Sequence, residues 1–385
     1  TIMDSLTQII LGAAVGEAVL GKKLGNKAML WGAIAGTIPD LDVYIKLFTD
    51  TITATELHRG ISHSLFFSII MAPLLAWFVS KSQKITLGVI TALVFGFMVS
   101  YSAFVQKTEN IWVLITMASV GLGLLAAVYF VKYKSTATFK QWSWLFFWTL
   151  VTHPLLDAHT TWGTQFFWPF DYRLAYKNIF VADPLYTVPF LIFVILAMCY
   201  KRTNPKRRKY NNIGLIVSST YMLITLVLKG IGFGKFEAVL TEEKINYIEM
   251  DTRPSPLNSI LWNAQVETEE GFRMGYYSFF DTKEIEFGDE IAKNHELLIP
   301  YKDQKVVKQL IKISAGWYLV NKAEQDTLIF TDIRFGQFGF ENDSPFIWNY
   351  KLWMNEQGVM EAIQIQPQFN VKEGFSEMGK RVSGN

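Results

Sequence analysis

Long uncharged runs alternate with short polar connections over residues 1–230, and then the pattern stops. The runs are Leu6–Leu20, Ala28–Ile38, Ser64–Val79, Ile85–Val105, Ile111–Val131, Trp142–Leu156, Pro184–Tyr200 and Ile213–Leu228. A helix needs about 20 apolar residues to cross a bilayer, with shorter pieces tolerated inside a bundle. The pattern predicts an α-helical polytopic membrane domain over 1–230, with about eight membrane segments, some short or re-entrant. Gly12/Gly16 and Gly32/Gly36 give the two short leading runs small-residue faces, which predict close helix approach. Residues 231–385 read instead as a small β-rich soluble domain. Gly275–Phe280, Gly316–Val320, Leu328–Phe335 and Phe346–Trp353 are aromatic and β-branched, with turn residues between them. Val306–Ile313 fits either a strand or a short helix, and Arg253–Asn258 an extended lead-in.

Composition supports this division. Half of the 385 residues are hydrophobic and the mean hydropathy is +0.20, too apolar for an ordinary soluble chain. The net charge of +2 gives no basic excess for nucleic acid, and no such partner is expected. The single cysteine, Cys199, excludes a disulfide framework and a cysteine-based zinc site.

The placement of charge says more than its sum. Connections 21–27, 80–84, 132–141 and 201–212 carry Lys22, Lys23, Lys27, Lys81, Lys84, Lys132, Lys134, Lys140 and the cluster around Lys206–Lys209. The alternate connections, 39–63, 106–110 and 157–183, carry only Lys46, Arg59, Lys107, Arg173 and Lys177. Cytoplasmic loops are enriched in Lys and Arg, so the first set is expected inside. After eight crossings the C-terminal domain emerges on the other, non-cytoplasmic side. Glu17, a carboxylate in the first run, is expected to pair with Lys22 or Lys23 near a helix end.

The same outer side collects the candidate chemistry. Pro39-Asp40-Leu41-Asp42, His58-Arg59-Gly60-Ile61-Ser62-His63-Ser64 and His153-Pro154-Leu155-Leu156-Asp157-Ala158-His159 each sit at the edge of an apolar run. Carboxylates and imidazoles gathered this way need a cation or shared protons to compensate one another. His153 and Asp157 share a helix face at four-residue spacing. Asp40 and Asp42 face together on an extended segment, and Gly60 bends the chain to bring His58 and His63 inward. Mixed His and Asp donors without cysteine suit Zn²⁺, Mn²⁺ or Fe²⁺ better than Ca²⁺. The number of donors allows one or two ions, and paired ions are common in phosphoester hydrolysis. On that reading Asp42 or Asp157 is the general base. Arg59 either offsets charge on a phosphoryl oxygen or contacts a head group or helix end. His159 is a further possible ligand. The loop holding Thr161, Trp162, Gln165 and Arg173 either grips a substrate or forms an interfacial aromatic belt.

In these motifs the chain resembles a family of bacterial membrane-bound metal-dependent hydrolases, which includes LexA-binding inner-membrane-associated members of unknown substrate. The matching stretches are Met3-Asp4-Ser5-Leu6-Thr7, Leu30-Trp31-Gly32-Ala33, the three clusters above, Thr160-Thr161-Trp162-Gly163-Thr164-Gln165 and Asp183-Pro184-Leu185-Tyr186. The resemblance implies a multi-pass inner-membrane protein whose metal ligands are Asp40, Asp42, His58, His63, His153 and Asp157. Gln8 stands where some members carry histidine, so an amide fills or weakens one coordination position. The expected activity is hydrolysis of an ester or phosphoester in a lipid-linked or membrane-interface substrate. The rival expectation is a non-enzymatic metal-binding scaffold or regulator that uses the C-terminal domain to hold a partner.

Overall fold

The computed structural model describes residues 2–105, 110–130, 137–324, 326–341, 344–367 and 371–384. Lys107, Lys132 and Lys134, counted above among the connecting cations, lie outside the described residues.

The chain opens with a helical hairpin. α1 (Ile2–Leu24) and α2 (Asn26–Thr37) are joined through Gly25, whose φ of 62° suits glycine. The expected close approach is observed. A Cβ at Gly12 would overlap the Gly32 carbonyl, and one at Gly16 would overlap that of Ala28. Pro39 then starts a 3₁₀ segment, Pro39–Leu47, which carries both early aspartates. α3 (Thr51–Leu57) is capped by Asp50, which accepts from Thr53 N at 2.8 Å. A second 3₁₀ turn, Ile61–His63, leads into α4 (Leu65–Lys81), capped by Ser64. The chain bends by 63° at this break.

α5 (Gln83–Ser100), continued by a π-helical turn, and α6 (Ile111–Phe130) form a largely exposed apolar pair. α7 (Phe139–Asp157) starts in a Thr138/Gln141 capping box and runs through the middle of the bundle. Its Trp142 and Phe146 both pack edge-to-face on Trp31 of α2. α8 (Pro184–Met198) is capped by Asp183, and α9 (Pro205–Glu242) by Asn204.

Among the described residues three helical stretches are long and apolar enough to cross a bilayer: Gln83–Ala103, Ile111–Val128 and Pro205–Glu242. The bent pair Thr51–His63 and Leu65–Lys81 would make a fourth. The other runs of the eight are shorter or more polar. α2 has 12 residues and α8 has 15, while α1 holds Glu17, Lys22 and Lys23. Neighbouring helices bury the Gly-lined faces of α1 and α2, whereas α8 leaves Leu185, Val188, Ile192 and Ile195 exposed.

The remainder holds two antiparallel four-stranded sheets. The first is β1 (Glu249–Pro254), β2 (Leu261–Glu267), β3 (Gly271–Ser278) and β4 (Ile291–Ala292). The second is β5 (Tyr318–Lys322), β6 (Leu328–Asp332), β7 (Asn349–Met354) and β8 (Met360–Ile365). The ambiguous Val306–Ile313 stretch lies in a helix, α10 (Lys305–Ser314), whose apolar stripe of Val307, Leu310 and Ile313 is buried. A last helix, α11 (Val371–Val382), follows.

The two parts share cores. α9 runs unbroken past residue 230, where the sequence pattern sets the end of the helical region, and its Phe236 and Leu240 pack with Trp262, Ala264 and Val266. Ile52 of α3 joins Leu298, Leu310 and Tyr350 in the second-sheet core. Gln309 of α10 donates to Glu56 Oε2 at 2.9 Å.

Candidate metal centre

Three chain segments bring four side chains to one point. Pro39 turns Asp40 inward at the end of α2. The Gly60 bend, with Arg59 at a positive φ of 55°, brings in His63. The last turn of α7 supplies His153 and Asp157 at helical spacing. One donor atom from each of Asp40, His63, His153 and Asp157 lies within 4.8 Å of the other three. The two imidazole Nε2 atoms are 3.1 Å apart. His63 Nε2 is 3.5 Å from Asp40 Oδ1 and 3.2 Å from Asp157 Oδ2. His153 Nε2 is 3.4 Å and 3.3 Å from the same two oxygens.

The outer shell sets the tautomers. His153 Nδ1 donates to the Gly36 carbonyl at 2.5 Å. His63 Nδ1 donates to Ser62 Oγ at 2.9 Å, and Ser62 Oγ donates onward to Asp42 Oδ2 at 3.2 Å. Both Nε2 lone pairs then point inward, the arrangement metal-ligating histidines show. Asp157 Oδ1 accepts from Gln8 Nε2 at 2.8 Å, which turns Oδ2 to the centre, where it accepts no hydrogen bond. Asp40 Oδ2 is likewise buried without a hydrogen bond.

These donors fit a cation better than shared protons. A tetrahedral ion with bonds of about 2.0–2.1 Å holds its donors roughly 3.3 Å apart; every separation that involves an imidazole is 3.1–3.5 Å, and the two carboxylate oxygens lie within 4.8 Å of each other. Charge-assisted N–H···O bonds are shorter, about 2.7–2.9 Å. The cluster can therefore hold a metal ion.

The other residues expected here lie around that core. Asp42 accepts from His58 Nδ1 at 2.9 Å, Arg59 N at 2.8 Å and Ser62 Oγ. Burial acts to raise the Asp42 carboxyl, but the hydrogen bonds from His58 and His63 outweigh it and hold it far below the usual carboxylate range. Asp42 is thus a committed anion that orients His58 and His63. The structure places it and His58 behind the four inward donors. Arg59 sets its Nε 3.2 Å from Asp157 Oδ2 and donates from Nη1 to Thr160 Oγ1 at 2.8 Å. Gln8 stands behind Asp157 as a donor. His159 turns away to Asn178 Oδ1 at 2.8 Å.

The outer loop forms the wall beside His58. The Trp162 ring lies tilted against the His58 ring, with centroids 6.1 Å apart. Arg173 Nη2 donates to the carbonyls of Glu56 and His58 at 3.0 and 2.9 Å. Gln165 Nε2 donates to Asp171 Oδ1 at 3.1 Å, and Thr161 is partly exposed in the same turn. Sequence reasoning missed what the C-terminal part adds: Phe335 and Trp348 stack on Trp162 at 5.8 and 6.2 Å, and Arg334 lies 5.4 Å from its ring centroid. Trp162 falls in a flagged motif, but nothing local pairs it with residues 170 positions downstream.

Glu17 is a correction. Its partner is neither Lys22 nor Lys23 but Arg207, at the start of α9, with Nε to Oε1 at 2.7 Å and Nη2 to Oε2 at 2.5 Å. The basic run read only as a topology signal thus turns one guanidinium into the bundle. The lysines at positions 22 and 23 close α1 instead, and Lys23 reaches Gln141 at 2.8 Å.

Fold and site together define a helical membrane protein with a buried Asp/His cluster able to hold a metal ion. The chain belongs to the YdjM inner membrane protein family, whose model matches residues 3–106 and 111–232, more than half of the sequence. No curated protein and no solved structure matches it.

Proposed function

We propose that this protein is an integral-membrane metal-dependent hydrolase acting on an ester or phosphoester at the membrane interface. One observation carries the reading: four lone-pair donors from three segments converge within 4.8 Å of one another, with His63, His153 and Asp157 each oriented by a hydrogen bond from behind. A bound Zn²⁺, Mn²⁺ or Fe²⁺ would supply Lewis acidity and a water acidic enough to ionise near neutral pH. Asp40, His63, His153 and Asp157 would hold one ion, and Asp42 orients His63 and His58. Its lone pairs are so committed that Asp42 is not the base, and Asp157 faces Arg59. Asp40 is the most exposed of the four donors, at 20%, with one oxygen free of hydrogen bonds. It is the group left to take a proton. Arg59 balances the carboxylates and charge developing on a substrate oxygen.

A turnover screen on phosphate and carboxyl esters tests this. Purified protein should hydrolyse at least one class, and a chelator should abolish the activity reversibly. Metal-loaded protein inert toward every ester class would sink the hydrolase and leave a metal-binding scaffold.

The eight runs are read as eight membrane segments, with the basic end cytoplasmic. Connections 21–27, 137–141 and 198–207 meet at that end, through Arg202 Nη1 to Lys23 O at 2.6 Å and Arg207 Nη1 to Asn26 Oδ1 at 2.5 Å. Cys199 lies there and is exposed. An impermeant maleimide should therefore label it in inverted membrane vesicles but not in intact spheroplasts. The reverse pattern would turn the protein over and put the metal cluster inside.

A further inference from the structure

Where the outer loop meets the two sheets, positive charge accumulates without enough carboxylates to match. The charges of Arg173 and Arg334, of Arg334 and Arg253, and of Arg253, Lys177 and Lys229 lie close enough there to act on one another. Among the described residues their directly paired carboxylates are Asp251, held by Lys177 and Arg253 at 2.6 Å each, and Asp332, held by Arg334 at 2.6 Å. Lys229 is bonded to the Tyr176 carbonyl at 2.7 Å. Arg173 is bonded to two backbone carbonyls. The nearby Asp171 is taken by Lys312 at 2.9 Å.

Several of these donors are unspent. Arg253 is 3% exposed, yet its Nε and Nη1 have no hydrogen-bond partner, and neither does Nη1 of Arg173. A buried guanidinium with idle N–H groups is costly. Arg173 and Arg334 both lie 5.4 Å from the Trp162 ring centroid. Burial, together with the Arg334 and Arg59 charges, pulls Arg173 down to about 10. Arg173 and Trp162 are partly exposed, so the cluster opens beside the mouth of the metal site.

We propose that Arg173 and Arg253, whose N–H groups are unspent, form an oxyanion site with Arg334, itself forked onto Asp332, adding charge beside them; the site is assembled from both parts of the chain and takes a phosphoryl group next to the metal centre. Guanidinium forks match phosphoryl oxygens in geometry as well as charge. Resting on the hydrolase reading, this makes the substrate a phosphate- or diphosphate-bearing molecule, with the arginines holding the phosphoryl group and the Asp/His cluster the scissile bond. The site itself does not require turnover.

The test uses full-length protein in detergent, stripped of metal by a chelator, titrated calorimetrically with inorganic pyrophosphate. Saturable binding is expected, and Arg173→Gln and Arg253→Gln should each weaken it about ten-fold or more. Metal reloading should be unchanged in both variants. Arg173 is only partly buried and bonds only carbonyls, so Arg173→Gln decides the matter if Arg253→Gln does not fold. Displacement of pyrophosphate by nanodiscs containing phosphatidate, but not by purely zwitterionic ones, would assign the phosphoryl group to a lipid. Displacement by soluble phosphate esters alone would assign it to a soluble molecule. No saturable binding, or equal binding by both variants, overturns the site. Binding without any ester turnover instead sinks the hydrolase and spares the site.

Discussion

If the cluster holds a metal ion as proposed, purified His63→Ala protein is expected to stay empty at metal concentrations that load the wild type, and Asp157→Asn to stay empty too. Each change removes one of four donors around a single point. No spare donor is aimed there to replace it: His58 is tied to Asp42 and His159 to Asn178. Removing a group one layer out should cost less. Asp42→Asn keeps the ligands but loses the anion that holds His63 through Ser62. Outer-shell changes of this kind cost about 10–100-fold in metal affinity. The ordering is the test, because a structural polar cluster would not produce it. Metal is measured by mass spectrometry on the monodisperse fraction, then by titration of stripped protein. Stoichiometric metal in both His63→Ala and Asp157→Asn would end the ligand assignment.

The sequence made the ingredients of this site legible because each lies at the edge of an apolar run, where polar groups are expensive and rarely idle. It did not separate the inner donors from the outer ones. Asp40 and Asp42 differ by two positions on a 3₁₀ segment, and only the packed structure aims one at His153 and the other at His58. The glycine pairs of the first hairpin were readable because backbone contact demands the missing Cβ on both sides. Short strands flanked by polar residues were less so: β1, whose pairing with β2 runs from Pro254 opposite Trp262 to Glu249 opposite Glu267, carries little pattern of its own. Least visible were contacts between distant parts, such as Trp162 with Phe335 and Ile52 with Leu310, since nothing near either partner points to the other.

The Glu17–Arg207 pair is the second place where a single change should have a large effect. Both side chains are 5% exposed or less. Every N–H of the guanidinium is used: beyond Glu17 it reaches Asn26 Oδ1 at 2.5 Å, the Tyr200 carbonyl at 3.0 Å and Met29 Sδ at 3.0 Å. Gly21 leaves the room, because a Cβ there would overlap the Glu17 carboxylate. Glu17→Ala would strand a buried cation, and breaking a buried pair from one side costs about 3–5 kcal/mol. Arg207→Met should destabilise to a similar degree by stranding the carboxylate. The double variant Glu17→Leu/Arg207→Met removes both charges and keeps the volume, so it should recover most of the loss, as apolar replacement of buried pairs often does. Thermal unfolding in detergent of the wild type, Glu17→Leu, Arg207→Met and the double variant closes the cycle, Glu17→Leu stranding the guanidinium just as Glu17→Ala does. Single variants as stable as the wild type would mean that the pair contributes nothing to holding α9 against α1. A double variant no better than the singles would place the energy in the guanidinium's bonds to Asn26 and Tyr200 rather than in the charge pair.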